Sequence, residues 1–176
     1  RDWRGGTGGL LEQNVLLFTR STERVVSNGN WVIFHEYGNN SFRAYQITSL
    51  GIGNPVISAI GSDHNLATQE NGQGYMRLGP QSQLAVALPG ASNTIELFDF
   101  ADSTGMVVNF RSIVLSDGSG DVYGLEFSPG GRKLFASLLG NQLLFELAYD
   151  SVTMTYSERP ELPPIATPNQ IGAMQI

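Results

Sequence analysis

Tyr123–Ser137 reads YGLEFSPGGRKLFAS. Leu125, Glu126 and Phe127 alternate apolar, polar, apolar, the pattern of a strand with one buried face. Ser128-Pro129-Gly130-Gly131 then reverses the chain, because proline holds φ negative and glycine admits positive φ. Leu134–Ser137 resumes the extended pattern, so the stretch reads as a β-hairpin. A lone hairpin is marginal in water and needs neighbours with an apolar face. What surrounds this one decides the fold.

Its neighbours are copies. Tyr75–Ala87, YMRLGPQSQLAVA, has the same order of strand, small residue plus proline, polar turn and strand, with Pro80 and Pro129 49 residues apart. A second unit follows each hairpin: Thr94–Phe100 with its loop Ala101–Gly105, and Gln142–Tyr149 with Asp150-Ser151. Trp31–His35 and Phe42–Ile47 occupy the equivalent places earlier. Ala44 to Leu97 spans 53 residues and Leu97 to Leu144 spans 47. A period of roughly 50 with four short strands is the signature of propeller blades.

The expected fold is therefore all-β, a partial β-propeller of about three four-stranded antiparallel blades with incomplete strands at both ends. Residues 1–9 read as a flexible lead-in and 10–20 as the outer strand of a preceding blade. Blades are expected at 21–61, 75–116 and 123–157. Glu158–Asn169, with four prolines, is an extended connector. Residues 171–176 repeat the start of a blade at Gly74–Leu78, so the chain is read as a piece of a longer polypeptide. Ile33, Tyr45, Leu78, Val86, Leu97, Phe98, Phe127, Leu134, Ala136, Leu144 and Phe145 form the expected core.

Composition agrees. The 176 residues carry 21 Gly and 8 Pro, suiting many turns, and no stretch has a sustained helical period. No run of about 18 apolar residues is present, so no transmembrane helix is expected. The net charge is −6, and Lys133 is the single lysine. With no basic stripe, nucleic acid and anionic membrane are not expected partners. The absence of cysteine excludes disulfides, cysteine-ligated zinc and thiol catalysis.

The segments Asn14–Leu17, Trp31–Phe42, Gly74–Pro80, Ile95–Phe100 and Val122–Leu134 together resemble the N-terminal β-propeller of large secreted Bacteroidota surface proteins. Those proteins carry PKD repeats and C-terminal sorting domains of the gliding-motility or type IX secretion kind. The strand-and-turn grammar is also similar to that of WD40-like and lactonase-like propellers. Gly79-Pro80-Gln81-Ser82 and Ser128-Pro129-Gly130-Gly131 depart from the usual Ser-Pro-Asp-Gly turn, which alters turn detail only. The resemblance implies an extracellular or outer-membrane surface location and a non-enzymatic scaffold that binds protein or glycan. It also implies O-glycosylation at Ser103 and Ser151, in Asp102-Ser103-Thr104 and Asp150-Ser151-Val152. The structural alternative is a local Asp-Ser side-chain turn, and the intact mass of natively expressed protein decides between them.

Candidate chemistry is sparse. His35-Glu36 ends a central strand and is placed near a channel. Asp63-His64 lies on an interblade loop, and with Glu70 these residues suggest a metal or acid–base cluster. No H-x-H or H-E-x-x-H spacing supports that, and hydrogen-bonding loop residues are the favoured reading. Asp117–Asp121 faintly resembles a calcium loop but lacks a bidentate glutamate, so an acidic turn is favoured. Arg4–Gly9 lacks the lysine and preceding strand of a phosphate loop, and Asn39-Asn40-Ser41 is a bare N-glycosylation triplet. No catalytic residue, cofactor or metal is expected. The alternative is a lactonase-like or other hydrolytic propeller, for which the sequence offers His35, Glu36, Asp99 and Glu146. The open sheet edges are expected to be covered by other blades of the parent protein or by a partner chain.

Overall fold

A computed structural model describes residues 13–64, 72–90, 93–116, 120–139, 143–158 and 165–166. The lead-in, Glu70, Asp117–Ser119, most of the proline-rich connector and the 171–176 strand lie outside them. Every described element is a strand, and the strands form three antiparallel sheets. Sheet one holds β1 (Ser21–Ser27), β2 (Trp31–Glu36) and β3 (Ser41–Thr48), with β4 (Gly51–Ile52) and β5 (Val56–Ala59) both paired to β3. Sheet two runs β6 (Met76–Leu78), β7 (Gln83–Leu88), β8 (Thr94–Ala101) and β9 (Met106–Val114) in order. Sheet three runs β10 (Asp121–Phe127), β11 (Lys133–Leu139), β12 (Leu143–Asp150) and β13 (Thr155–Glu158), with β14 (Ile165–Ala166) on β12.

The sheets stack with like strands together. First strands meet first strands, β1 against β6 and β6 against β10, and outer strands meet outer strands, β5 and β13 flanking β9. A two-sheet sandwich would not pair strands this way; radial blades about an axis do. All six residues of β7 are buried, because its two faces serve two interfaces. Leu84 and Val86 pack with Trp31, Ile33, Phe42 and Phe98 toward sheet one. Ala85 and Ala87 pack with Leu125, Leu134, Ala136 and Leu147 toward sheet three. Each large apolar side chain so buried stabilises the fold by about 1.5–3 kcal/mol.

Two expectations change. The run Val15–Phe18 is not a strand, and Val15, Leu16 and Leu17 are exposed. Asn14 and Arg20 take positive φ at either end, so the run is not continuously extended. Its Phe18 ring instead rests 5.5 Å from Phe34 and 6.4 Å from Tyr45 on the outward face of sheet one. Leu78 and Leu144 are half-buried, and Met76 takes the core place expected of Leu78.

The turn after β8 is held by Trp31, whose Nε1–H donates to the Asp102 carbonyl at 3.0 Å. Gly105 has φ +76, and a Cβ there would lie 2.5 Å from the Trp31 ring. Gly105→Ala is expected to cost about 2–3 kcal/mol, from left-handed strain plus overpacking. Urea unfolding checks this; an unchanged midpoint would refute the close approach.

Candidate functional site

Strand alternation sends every second residue of β1 to the same side. Thr22 and Arg24 are buried, whereas Glu23 and Val25 are exposed. In β2 the buried set is Trp31, Ile33 and His35. In β8, Glu96 shares its parity with Phe98 and Phe100, which pack toward sheet one. The loop after β5 is tied to the turn after β2: His64 N–H donates to the Asn39 carbonyl at 2.9 Å, and Gly38 N–H donates to the His64 carbonyl at 2.9 Å. Four polar side chains thus meet between sheets one and two: Arg24, His35, His64 and Glu96, each at 1% exposure or less.

Their hydrogen bonds run in one direction. Arg24 Nη1 lies 2.9 Å from His64 Nδ1, and His64 Nε2 lies 3.3 Å from Glu96 Oε2. Arginine can only donate, so Nδ1 accepts, and Nε2–H is left to donate to the carboxylate. His64 is a neutral bridge in a buried ion pair. Burial and the Arg24 charge hold its pKa at about 2. His35 stacks on it, ring centroids 3.5 Å apart, and places Nδ1 2.6 Å from the Glu36 carbonyl. Burial first, then His64 and Arg24, hold His35 at about 2 as well. Burial lowers Arg24 only to about 10, so it stays charged at neutral pH, and burial pushes Glu96 up.

Arg24 also lines a cleft of about 300 Å³ on the wall formed by the first strands of the three sheets. Glu23, Gly74, Tyr75, Arg77 and Tyr123 share that cleft. Glu23 Oε1 accepts from Gly74 N–H at 2.5 Å, and its carboxylate also takes a hydrogen bond from the Tyr123 hydroxyl. Burial and the Glu23 charge push the Tyr123 pKa up. The Tyr75 and Tyr123 rings meet edge-on at 5.6 Å, and the Arg77 guanidinium lies 4.4 Å from the Tyr75 ring centre. Arg77 Nε reaches Glu126 Oε2 at 3.1 Å. Carboxylate, cation and two aromatic faces from three successive sheets converge here.

The histidines singled out in the sequence therefore meet, but in the interior rather than in the cleft. Glu36 is bound by Arg43 and accepts from Asn39 Nδ2 at 2.7 Å, outside the histidine cluster. Asp63 is exposed. Asp99 and Glu146 do not converge. Asp99 accepts from Arg111 Nη2 at 2.7 Å and from Asn109 at 2.8 Å, and Glu146 pairs with Lys133 at 2.9 Å. Among the described residues no group of three His, Cys, Asp or Glu could hold a metal. Ser103 and Ser151 are exposed on the turns after β8 and β12. Asp150 accepts from Val152 N–H at 2.8 Å and from Thr153 Oγ1 at 2.9 Å, a local side-chain turn, whereas the Asp102 carboxylate accepts from Asn28 Nδ2 and Ser82 Oγ, far from it in sequence.

Arg24, Glu96 and the cleft residues escaped the motif reading. Faint signals existed. Tyr75 and Tyr123 stand 48 residues apart, and Arg77 and Glu126 stand 49 apart, at matching places in successive repeats. Glu96 stands among the buried apolar residues Ile95, Leu97, Phe98 and Phe100 of its strand.

No family model matches this chain, and no curated protein does. Solved structures do. A 6-phosphogluconolactonase candidate from Bacteroides fragilis NCTC 9343 gives a TM-score of 0.59 at 12% identity, over 81% of this chain and 38% of that one. The periplasmic gluconolactonase PpgL of Pseudomonas aeruginosa gives 0.60 at 15% identity, over 84% and 41%. The β-propeller domain of Myceliophteria thermophila Cps50 (Swd1) gives 0.58 at 13% identity, over 87% and 45%. The architecture is that of a partial β-propeller. The chain spans about two fifths of the length of these proteins. The expectation of a non-enzymatic module is corrected here: proteins named as lactonases share this fold, so the fold does not carry that expectation.

Proposed function

We propose that this chain supplies three blades, and part of the active site, of a propeller that hydrolyses lactones of polyhydroxy acids. The carrying observation is the cleft where Glu23, Tyr75, Arg77 and Tyr123 converge from the first strands of three sheets. The lactonase names among its structural neighbours support the same reading. In this reading the tyrosine rings hold the C–H-rich ring of the substrate, and its hydroxyls bond to the polar side chains of the cleft. Glu23, oriented by Gly74 N–H, takes a proton from a water as that water attacks the lactone carbonyl. The Arg77 guanidinium offsets the charge of the tetrahedral oxyanion. Collapse breaks the ring C–O bond, and the departing alkoxide recovers the proton from Glu23, leaving the open hydroxy acid.

The test is titration of acid release from glucono-δ-lactone by the full polypeptide that carries this chain, with the uncatalysed rate subtracted. Glu23→Gln is expected to lower kcat by about 10²-fold or more. A wild-type rate equal to background, or a Glu23→Gln variant at full rate, would overturn the reading.

A further inference from the structure

One peptide unit is gripped from both ends by adjacent residues of another sheet. The carbonyl of Gln73 accepts from Arg24 Nη2, and the N–H of Gly74, its partner across the same peptide bond, donates to Glu23 Oε1 at 2.5 Å. Arg24 Nη2 also donates to the Ala87 carbonyl at 2.6 Å. The next residue extends the joint, since Tyr75 N–H donates to the Tyr123 carbonyl at 2.8 Å and the Tyr75 carbonyl accepts from Ala87 N–H at 2.9 Å. Sheets one, two and three are thereby tied at a single three-residue segment. Gly74 has φ +92, and a Cβ there would sit 3.1 Å from Pro89 and 3.3 Å from Ala87.

We infer that Arg24, anchored through His64 to Glu96, is a positioning residue that fixes the Gln73–Gly74 peptide and through it the aim of the Glu23 carboxylate into the cleft. Arg24 and Glu23 point to opposite sides of β1, so the arginine acts from beneath the cleft while the carboxylate faces it. The imidazole adds direction. By accepting from one Arg24 nitrogen it holds the guanidinium plane, leaving the other nitrogen aimed at the two carbonyls. This inference rests on the proposed hydrolysis only for its consequence in turnover; the grip on the peptide stands apart from it.

The test keeps charge balanced. Arg24→Met alone leaves Glu96 buried without its counter-charge, whereas Arg24→Met with Glu96→Gln removes both charges and is expected to keep the fold. The first readout is amide exchange at Gly74, which does not depend on any activity. In the double variant it is expected to rise at least about tenfold, with ladder amides of β11 and β12 unchanged. Arg24→Lys, which keeps a donor and the charge, is expected to restore part of the protection. The second readout is kinetic: kcat falls about tenfold or more with KM within about twofold, because Glu23 is mis-aimed while the aromatic walls remain. Gly74 exchange that does not change in the folded double variant overturns the positioning role. Absence of lactone turnover in the wild type overturns the proposed reaction instead, and the exchange result still decides the grip.

Discussion

Lowering the pH from 7.5 to 4.5 is expected to remove up to about 5 kcal/mol of folding stability, through two histidines. His35 and His64 are held at about 2 in the fold and return to an ordinary value of 6.5 when the chain unfolds. For a base with a depressed folded pKa, the neutral form is the one the fold prefers. Its contribution is complete above 6.5 and is lost progressively as pH falls from 6.5 toward 2. Each group loses about 1.4 kcal/mol per pH unit in that window, so two units take about 2.7 kcal/mol from each. Glu96 acts in the opposite sense. Burial raises its folded pKa above 4.5, so between 4.5 and that raised value the fold takes up a proton the unfolded chain does not. Acidification through that range therefore returns part of the loss. The measurement is urea unfolding at half-unit intervals from pH 7.5 to 4.5. His35→Phe, which keeps the ring between Phe42 and His64, is expected to reduce the pH dependence by about half. A flat stability profile from pH 7 to 5 would refute the neutral, buried state of both rings.

Arg24→Met is expected to cost about 3–5 kcal/mol, the range for removing one partner of a buried ion pair. Most of that is the penalty on Glu96, which stays at 1% exposure with its counter-charge gone. Adding Glu96→Gln is expected to recover most of the loss, since the amide oxygen still accepts from Ser62 N–H and, with Arg24 gone, His64 can carry its proton on Nδ1 and accept from the amide nitrogen at Nε2. Denaturant midpoints of the wild type, both single variants and the double variant form a cycle that isolates the coupling. Additive losses in the double variant would show that the two charges do not depend on each other, and the His64 bridge would be discarded.

The consequence for the fold is that two kinds of join hold neighbouring sheets. Sheet three meets sheet two through an apolar seam of Ala85, Ala87, Ile95 and Leu97 against Leu125, Leu134 and Leu147. Sheet one meets sheet two through Trp31, Phe42 and Phe98, with the charged cluster set beside them. The apolar seam gains from area and is insensitive to pH. The charged one gains less net energy and adds direction, because its hydrogen bonds are satisfied in one arrangement of the two sheets.

Local chemistry alone determined the strands, the turns and their repetition. Pro80 and Pro129 in matching turns, the alternation in Leu125–Phe127 and the apolar runs around Val86 and Phe145 specify hairpins of a set spacing, because strand period and turn conformation are properties of a few consecutive residues. Those same properties made a radial stack the consistent arrangement. Where the side chains meet was decided only by tertiary structure. Arg24, His35, His64 and Glu96 span 73 positions of the sequence and obey no short motif. They are neighbours because β1, β2, β8 and one loop turn the same parity toward one interface. The cleft likewise exists because three first strands lie side by side, so Glu23, Tyr75 and Tyr123 become one surface at a distance no sequence window spans. The segment 13–20 shows the converse limit: Val15–Phe18 has the composition of a strand, yet among the described residues it finds no ladder partner and stays irregular, since a strand requires a second strand's hydrogen bonds.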